Sequence, residues 1–254
     1  MDLSIMIIAA EYIAITYVFG LLYRIVGARN SEFIQRSFGW YGYCVLGLVG
    51  VTFHELSHLI VAVLFRHKIN EVRLFRPVQG RADGTLGYVH HAWDNKSWYQ
   101  MIGNFFIGTA PMFFGAGLLF LLLRIAYPAA FVNVAQIGEI PGALGAAATI
   151  MFKPEIFFTK WTPIVILVAM LICPHMHMSW PDIKGATSGA IAMIFIATVM
   201  SLVSIILRAD IVAAIQSAMN TFVTYYIYAL VLGLVMSLII TACFGLVMVI
   251  RGRG

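Results

Sequence analysis

Within a long apolar stretch the chain reads Val51-Thr52-Phe53-His54-Glu55-Leu56-Ser57-His58-Leu59-Ile60-Val61-Ala62. On a helix, residues i and i+4 stack on one face, so the imidazoles of His54 and His58 can converge on one metal ion, and zinc is the natural candidate. Glu55, one step round, is then placed to act as general base towards water at that metal. Three ionisable groups in one apolar helix are expensive unless they are paired, metal-bound or facing water, so they mark a functional site. Two imidazoles leave a tetrahedral zinc one protein ligand short. Asp182 is the first candidate for the third ligand, in Cys173-Pro174-His175-Met176-His177-Met178-Ser179-Trp180-Pro181-Asp182, where Pro174 and Pro181 are expected to break the helix and turn side chains inward. His175 and His177 are alternates, and their i,i+2 spacing lets at most one of them reach the site.

The elements that must hold these groups are membrane helices. Of 254 residues, 61% are hydrophobic and 11% charged, against roughly 25% charged in a soluble domain. A soluble globular protein is excluded. The net charge of +5 is dispersed and forms no stripe that would bind nucleic acid. Three cysteines, Cys44, Cys173 and Cys243, form neither a disulfide framework nor a paired metal motif and are read as core thiols. The fold class expected is an all-α, multi-pass membrane protein forming a single domain over 1–254, with about six transmembrane helices. The expected spans are Leu3 to Val26, Gly39 to Phe65 (the zinc helix), Ser97 to Leu123, Trp161 to about Met178, Ala186 to Leu207, and Phe222 to Ile250. Ala129 to Ile150 is expected to be interfacial or re-entrant, and Asp210 to Met219 an amphipathic piece lying along the membrane surface. Glu11 is expected to pair with a neighbouring helix and Lys184 to anchor at the interface.

Between the second and third spans lies a polar insertion, 69–91, that reads as a β-hairpin. Glu71 to Phe75 alternates, Gly80 to Gly84 turns, and Thr85 to His90 returns. His90 and His91 are read as its solvated end. The distribution of Lys and Arg slightly favours cytoplasmic termini, and the lack of a cleavable leader suggests a prokaryotic inner membrane.

These residues resemble the site-2 proteases, intramembrane zinc metalloproteases of the M50 type. The resemblance rests on His54-Glu55-Leu56-Ser57-His58 with its apolar continuation to Phe65, the sheet-forming Ile69 to Pro77, and Gly108-Thr109-Ala110-Pro111 as a loose match to a small-Gly-Pro pattern. Pro181-Asp182 with Gly185 is similar to the family's third-ligand motif, without its Asn and without Gly directly after Asp. The resemblance implies a zinc cofactor and hydrolysis of a peptide bond in or near a transmembrane segment of a membrane protein. It also implies a peptide or membrane-protein substrate held extended on the 71–90 hairpin, with Glu55 moving the proton. An accessory membrane partner is compatible with the absence of a soluble recognition domain in this sequence. Three other readings use the same residues: a proteolytically silent M50-like subunit, a proton or ion transporter relaying through His54, Glu55, His58 and Asp182, and a membrane zinc hydrolase of lipid-linked substrates.

Overall fold

The computed structural model describes residues 3–127, 159–204 and 209–252. It is mostly helical, with one small antiparallel sheet. Helix α1 runs Ser4–Leu64 as two segments, 4–38 and 40–64, about 50 and 40 Å long at the helical rise, and both pack on one later stretch, Gly27 against His177 and Gly50 against His175. It is broken at Gly39, whose φ of 69° and ψ of −172° only glycine adopts readily. The first two expected spans therefore lie in one kinked helix. Arg29, Glu32 and Arg36, expected to separate them, pair instead along its surface, Arg29–Glu32 at 2.9 Å and Arg36–Glu32 at 3.0 Å. Such i,i+3 and i,i+4 pairs support a helix rather than end it.

Helix α3 (Trp98–Ala126) agrees with the third expected span, and Ser97 caps it by accepting from the Gln100 N–H at 3.4 Å. The fourth expected span is shorter than foreseen: α4 covers Thr162–Ile172, and a 3₁₀ turn at Cys173–His175 follows, with Pro174 inside it. Helix α5 spans Trp180–Val203. Pro181 does not break it but lies in its first turn, where a missing N–H removes nothing. Helix α6 runs Ala209–Ile250 and absorbs the expected surface helix. Val212, Ile215 and Met219 turn inward there while Ala213, Ala214 and Ala218 are exposed, so the amphipathic stripe continues directly into the membrane segment. Among the described residues four helices, α1, α3, α5 and α6, are long and apolar enough to cross a membrane, against six spans expected, the first two of which both fall within α1. The Ala129 to Ile150 stretch lies outside the described residues.

These helices share one core, in which Tyr23, Phe105, Met112, Leu119, Met176 and Tyr228 are fully buried. The buried Tyr23 hydroxyl donates to the Leu230 carbonyl at 2.8 Å, as a phenol inside an apolar core must. Cys173 is buried with them, whereas Cys44 is partly and Cys243 fully exposed, so only the first is a core thiol.

The insertion forms strands β1 (Lys68–Arg73) and β2 (Tyr88–Ala92), paired antiparallel with Val72 opposite Val89 and Ile69 opposite His91, and with a bulge between Ile69 and Glu71. The connection is not the simple turn expected at 80–84. A short helix α2 (Pro77–Asp83) starts on Pro77 and ends on Gly84, which has φ 75°, the Pro-first, Gly-last pattern of a helix. The connection folds back along α1: Phe75, Pro77, Val78 and Arg81 border a groove with Trp40, Tyr41, Cys44, Val45 and Leu48, and Gly87 abuts Val51 and Glu55. That is about 15–35 Å along α1 from Leu64 at the helical rise. Its polar groups satisfy one another. Arg76 pairs with Asp83, its Nε donates to the Thr85 carbonyl at 2.8 Å, and the Thr85 N–H donates to Asp83 at 2.9 Å.

Candidate metal centre

His54 and His58 face the same way from successive turns of α1, with their Nε2 atoms 3.1 Å apart. Each ring is fixed from behind. His54 Nδ1 lies 2.7 Å from the His175 carbonyl and His58 Nδ1 2.7 Å from the Ile107 carbonyl. A carbonyl oxygen only accepts, so Nδ1 carries a proton in both rings and the two Nε2 atoms are left facing each other. Asp182 completes the convergence, with Oδ1 3.4 Å from His58 Nε2 and Oδ2 3.9 Å from His54 Nε2. One ligand atom from each of the three lies within 4.8 Å of the others. Two ring nitrogens and a carboxylate that converge can share a proton or a metal ion, and second-sphere carbonyls on Nδ1 are the usual support of metal-bound imidazoles. The group could hold a metal ion, and its nitrogen and oxygen donors suit zinc.

Close backbone approaches build this geometry. The His175 carbonyl closes the 3₁₀ turn, where helical hydrogen bonding stops and an acceptor is left over. It reaches His54 because Gly50 has no side chain, and a Cβ there would collide with the His175 ring and the Leu171 carbonyl. On the other flank, a Cβ at Gly108 would collide with the Asp182 carbonyl, so glycine lets α3 and the start of α5 touch. Asp182 is itself held by a capping box: the Ser179 N–H donates to Asp182 Oδ2 at 2.7 Å and the Asp182 N–H to the Ser179 hydroxyl at 3.3 Å. That orients the carboxylate before any ligand arrives.

Glu55 is buried and opens onto a cavity of about 530 Å³ that it shares with His54, His58 and Asp182. Strand β2 forms another wall through Tyr88, Val89, His90 and His91. Both histidines border the cavity; His90 is solvent-exposed, as a hairpin end is expected to be, whereas His91 is half-buried. Gly87 brings this wall in, since a Cβ there would sit 2.7 Å from Glu55 Cγ and 2.9 Å from the Leu74 carbonyl. His91 Nδ1 is 2.9 Å from His67 Nδ1, while His67 Nε2 donates to the Gln100 carbonyl at 2.9 Å. Burial, followed by the neighbouring His67, pushes His91 down to about 4, and burial also lowers His67.

The alternate ligands stand outside the group of three. His175 contributes its carbonyl, while its ring Nδ1 sits 3.3 Å from the Leu171 carbonyl. His177 Nδ1 is 3.0 Å from the Pro174 carbonyl and its ring lies against Gly27. Glu11 is on an exposed face of α1, and Lys184 is exposed as well. Sequence reasoning missed Ile107, Ser179, Gly87 and the Arg76–Asp83 pair, which also borders the cavity. Ser179 carried a signal, the Ser-x-x-Asp spacing of a helix start, and so did Gly87, an isolated glycine entering a strand. No protein-family model, curated protein or solved structure matches this chain.

Proposed function

We propose that the chain is an intramembrane zinc metalloendopeptidase, as its resemblance to the site-2 proteases implies. The observation that carries the reading is the convergence of two Nε2 atoms and one carboxylate beside a buried Glu55 in a single cavity. His54, His58 and Asp182 would hold the zinc, which when bound supplies Lewis acidity towards a scissile carbonyl and an attacking water. Glu55 takes the proton from that water and passes it to the leaving amine. The His175 and Ile107 carbonyls hold a proton on Nδ1 of both imidazoles, so Nε2 is the nitrogen each ring would offer the metal.

A transmembrane substrate has all its backbone groups paired and must unwind to be cut. Among the described residues strand β2 is paired on one edge only, by β1, and Gly87 to His91 line the cavity. An unwound segment would add to β2 as a further strand, its backbone held beside Glu55. In this reading α1 crosses the bilayer once on each side of Gly39, and the polar groups of the 66–96 insertion keep the cavity wet. The termini face the cytoplasm of a prokaryotic inner membrane, and substrate choice rests on the membrane domain or on an accessory membrane partner.

The test is elemental analysis of the detergent-purified chain together with cleavage of a fluorogenic peptide built on a transmembrane segment. About one zinc per chain is expected, with cleavage lost on chelation and restored by zinc, and Glu55→Gln is expected to keep the zinc and lose cleavage. Absence of zinc after reconstitution sinks the reading in favour of a metal-free His/Glu/Asp relay. Zinc without cleavage of any transmembrane peptide favours a silent subunit or a different hydrolase.

A further inference from the structure

The Ile107 carbonyl that holds His58 lies in the middle of α3, where a carbonyl is ordinarily consumed by the N–H four residues on. Four residues on is Pro111, which lies inside the helix. Proline has no N–H to give, so the carbonyl at i−4 is left without its usual helical donor. The acceptor for His58 Nδ1 at 2.7 Å is therefore the one carbonyl in this stretch of α3 that Pro111 leaves unpaired. A buried carbonyl in apolar surroundings needs a partner, and His58 is that partner. We propose that Pro111 is a positioning residue of the metal centre: by withholding an N–H it assigns the Ile107 carbonyl to His58 and so fixes which nitrogen of that ring faces the metal.

The inference rests on the metal-centre reading above and adds to it a residue that touches neither metal nor substrate. It also explains why a helix-weakening residue stands in the middle of a membrane helix. Both Ile107 and its neighbour Gly108 serve the site from the same turn, one through its carbonyl and the other through its missing side chain against Asp182. Pro111 itself is buried one turn further along, out of the cavity lining. A role in shaping α3 alone would depend on the pyrrolidine ring, whereas the role proposed depends only on the absent N–H.

The experiment compares three full-length forms: wild type, Pro111→Ala, and position 111 replaced by lactic acid, the α-hydroxy analogue of alanine, introduced by nonsense suppression. Alanine restores an N–H that competes for the Ile107 carbonyl, while the lactate ester does not. The first readout is zinc affinity by competition with a chromophoric chelator. Pro111→Ala is expected to bind 10–100-fold more weakly, the range found for lost second-sphere partners, and the lactate form is expected to stay near wild type. The second readout needs no metal: ¹⁵N-labelled histidine NMR is expected to report His58 as the Nδ1–H tautomer in wild type and the lactate form and as a tautomer mixture in Pro111→Ala. Equal losses in the alanine and lactate forms would place the effect in the ring, and unchanged affinity and tautomer in both would leave Pro111 without the role, so either result overturns the inference. Wild type that binds no zinc would refute the metal-centre reading, and the tautomer comparison would still decide the inference.

Discussion

Two histidine pairs, His54–His58 within the cavity and His67–His91 reaching it through His91, are built on opposite logic. His54 and His58 each donate from Nδ1 to a carbonyl, so their two Nε2 atoms face across 3.1 Å beside a carboxylate. In the His67–His91 pair, His67 spends its Nε2 proton on the Gln100 carbonyl, and its Nδ1 lone pair accepts from His91 Nδ1–H at 2.9 Å. The second pair is a finished hydrogen bond. The first is a converging group that could hold a metal ion. What separates them is not the residue type or the contact distance but which ring nitrogen the backbone has claimed.

The largest effect that can break this contrast is the loss of a ligand. His58→Ala is expected to lower zinc affinity by more than about 10³-fold, whereas His91→Ala leaves it within about twofold, both read by chelator competition. Equal losses would mean that the hairpin pair belongs to the metal group. Next in size is Asp182→Asn, which keeps an oxygen to cap α5 but removes the charge. Zinc binding is expected to weaken by about 10²-fold while the thermal midpoint of the apo form hardly moves.

The hairpin pair is sharpened by titration. By NMR, His91 is expected to titrate near pH 4 rather than at the ordinary imidazole value of about 6.5, and His67→Ala should move its midpoint upwards by relieving burial and removing a like charge. Because the folded value is depressed, the pair's contribution to stability is fully present above about pH 6.5 and is lost as pH falls through the folded value near 4. A His91 midpoint at 6.5 or above would contradict the closed hydrogen bond. The smallest effect expected is that of Ser179→Ala, which removes a cap worth about 1 kcal/mol of stability and loosens zinc by less than tenfold.

The parts of the site that were legible in the sequence are those that local geometry dictates. His54, Glu55 and His58 follow from helical spacing alone, and the structure brings Asp182 to them because few polar groups exist in so apolar a chain. The capping role of Asp182 was written in Ser179-x-x-Asp182, but the prolines around it drew attention to helix breaking instead. The Ile107 and His175 carbonyls were illegible, since every residue carries a carbonyl and only tertiary packing selects two of them. The strands β1 and β2 were readable from alternation, yet Pro77 to Gly84, read as a turn, forms a helix with proline first and glycine last. Charges at Arg29, Glu32 and Arg36 suggested where the first span ends, whereas their spacing lets them pair along the helix, which continues to a break at Gly39.

The capping box at the start of α5 has a mechanical consequence. One carboxylate closes the helix's first turn through Oδ2 and faces the imidazoles of α1 through both oxygens. Occupancy of the centre and order at the beginning of α5 are thereby a single thermodynamic variable, so whatever strips the ion also frees the Ser179–Asp182 turn to fray, and whatever pulls on that turn releases the ion. The fastest local unfolding event in a chelated sample is expected at Trp180, at the seam between two helices far apart in sequence.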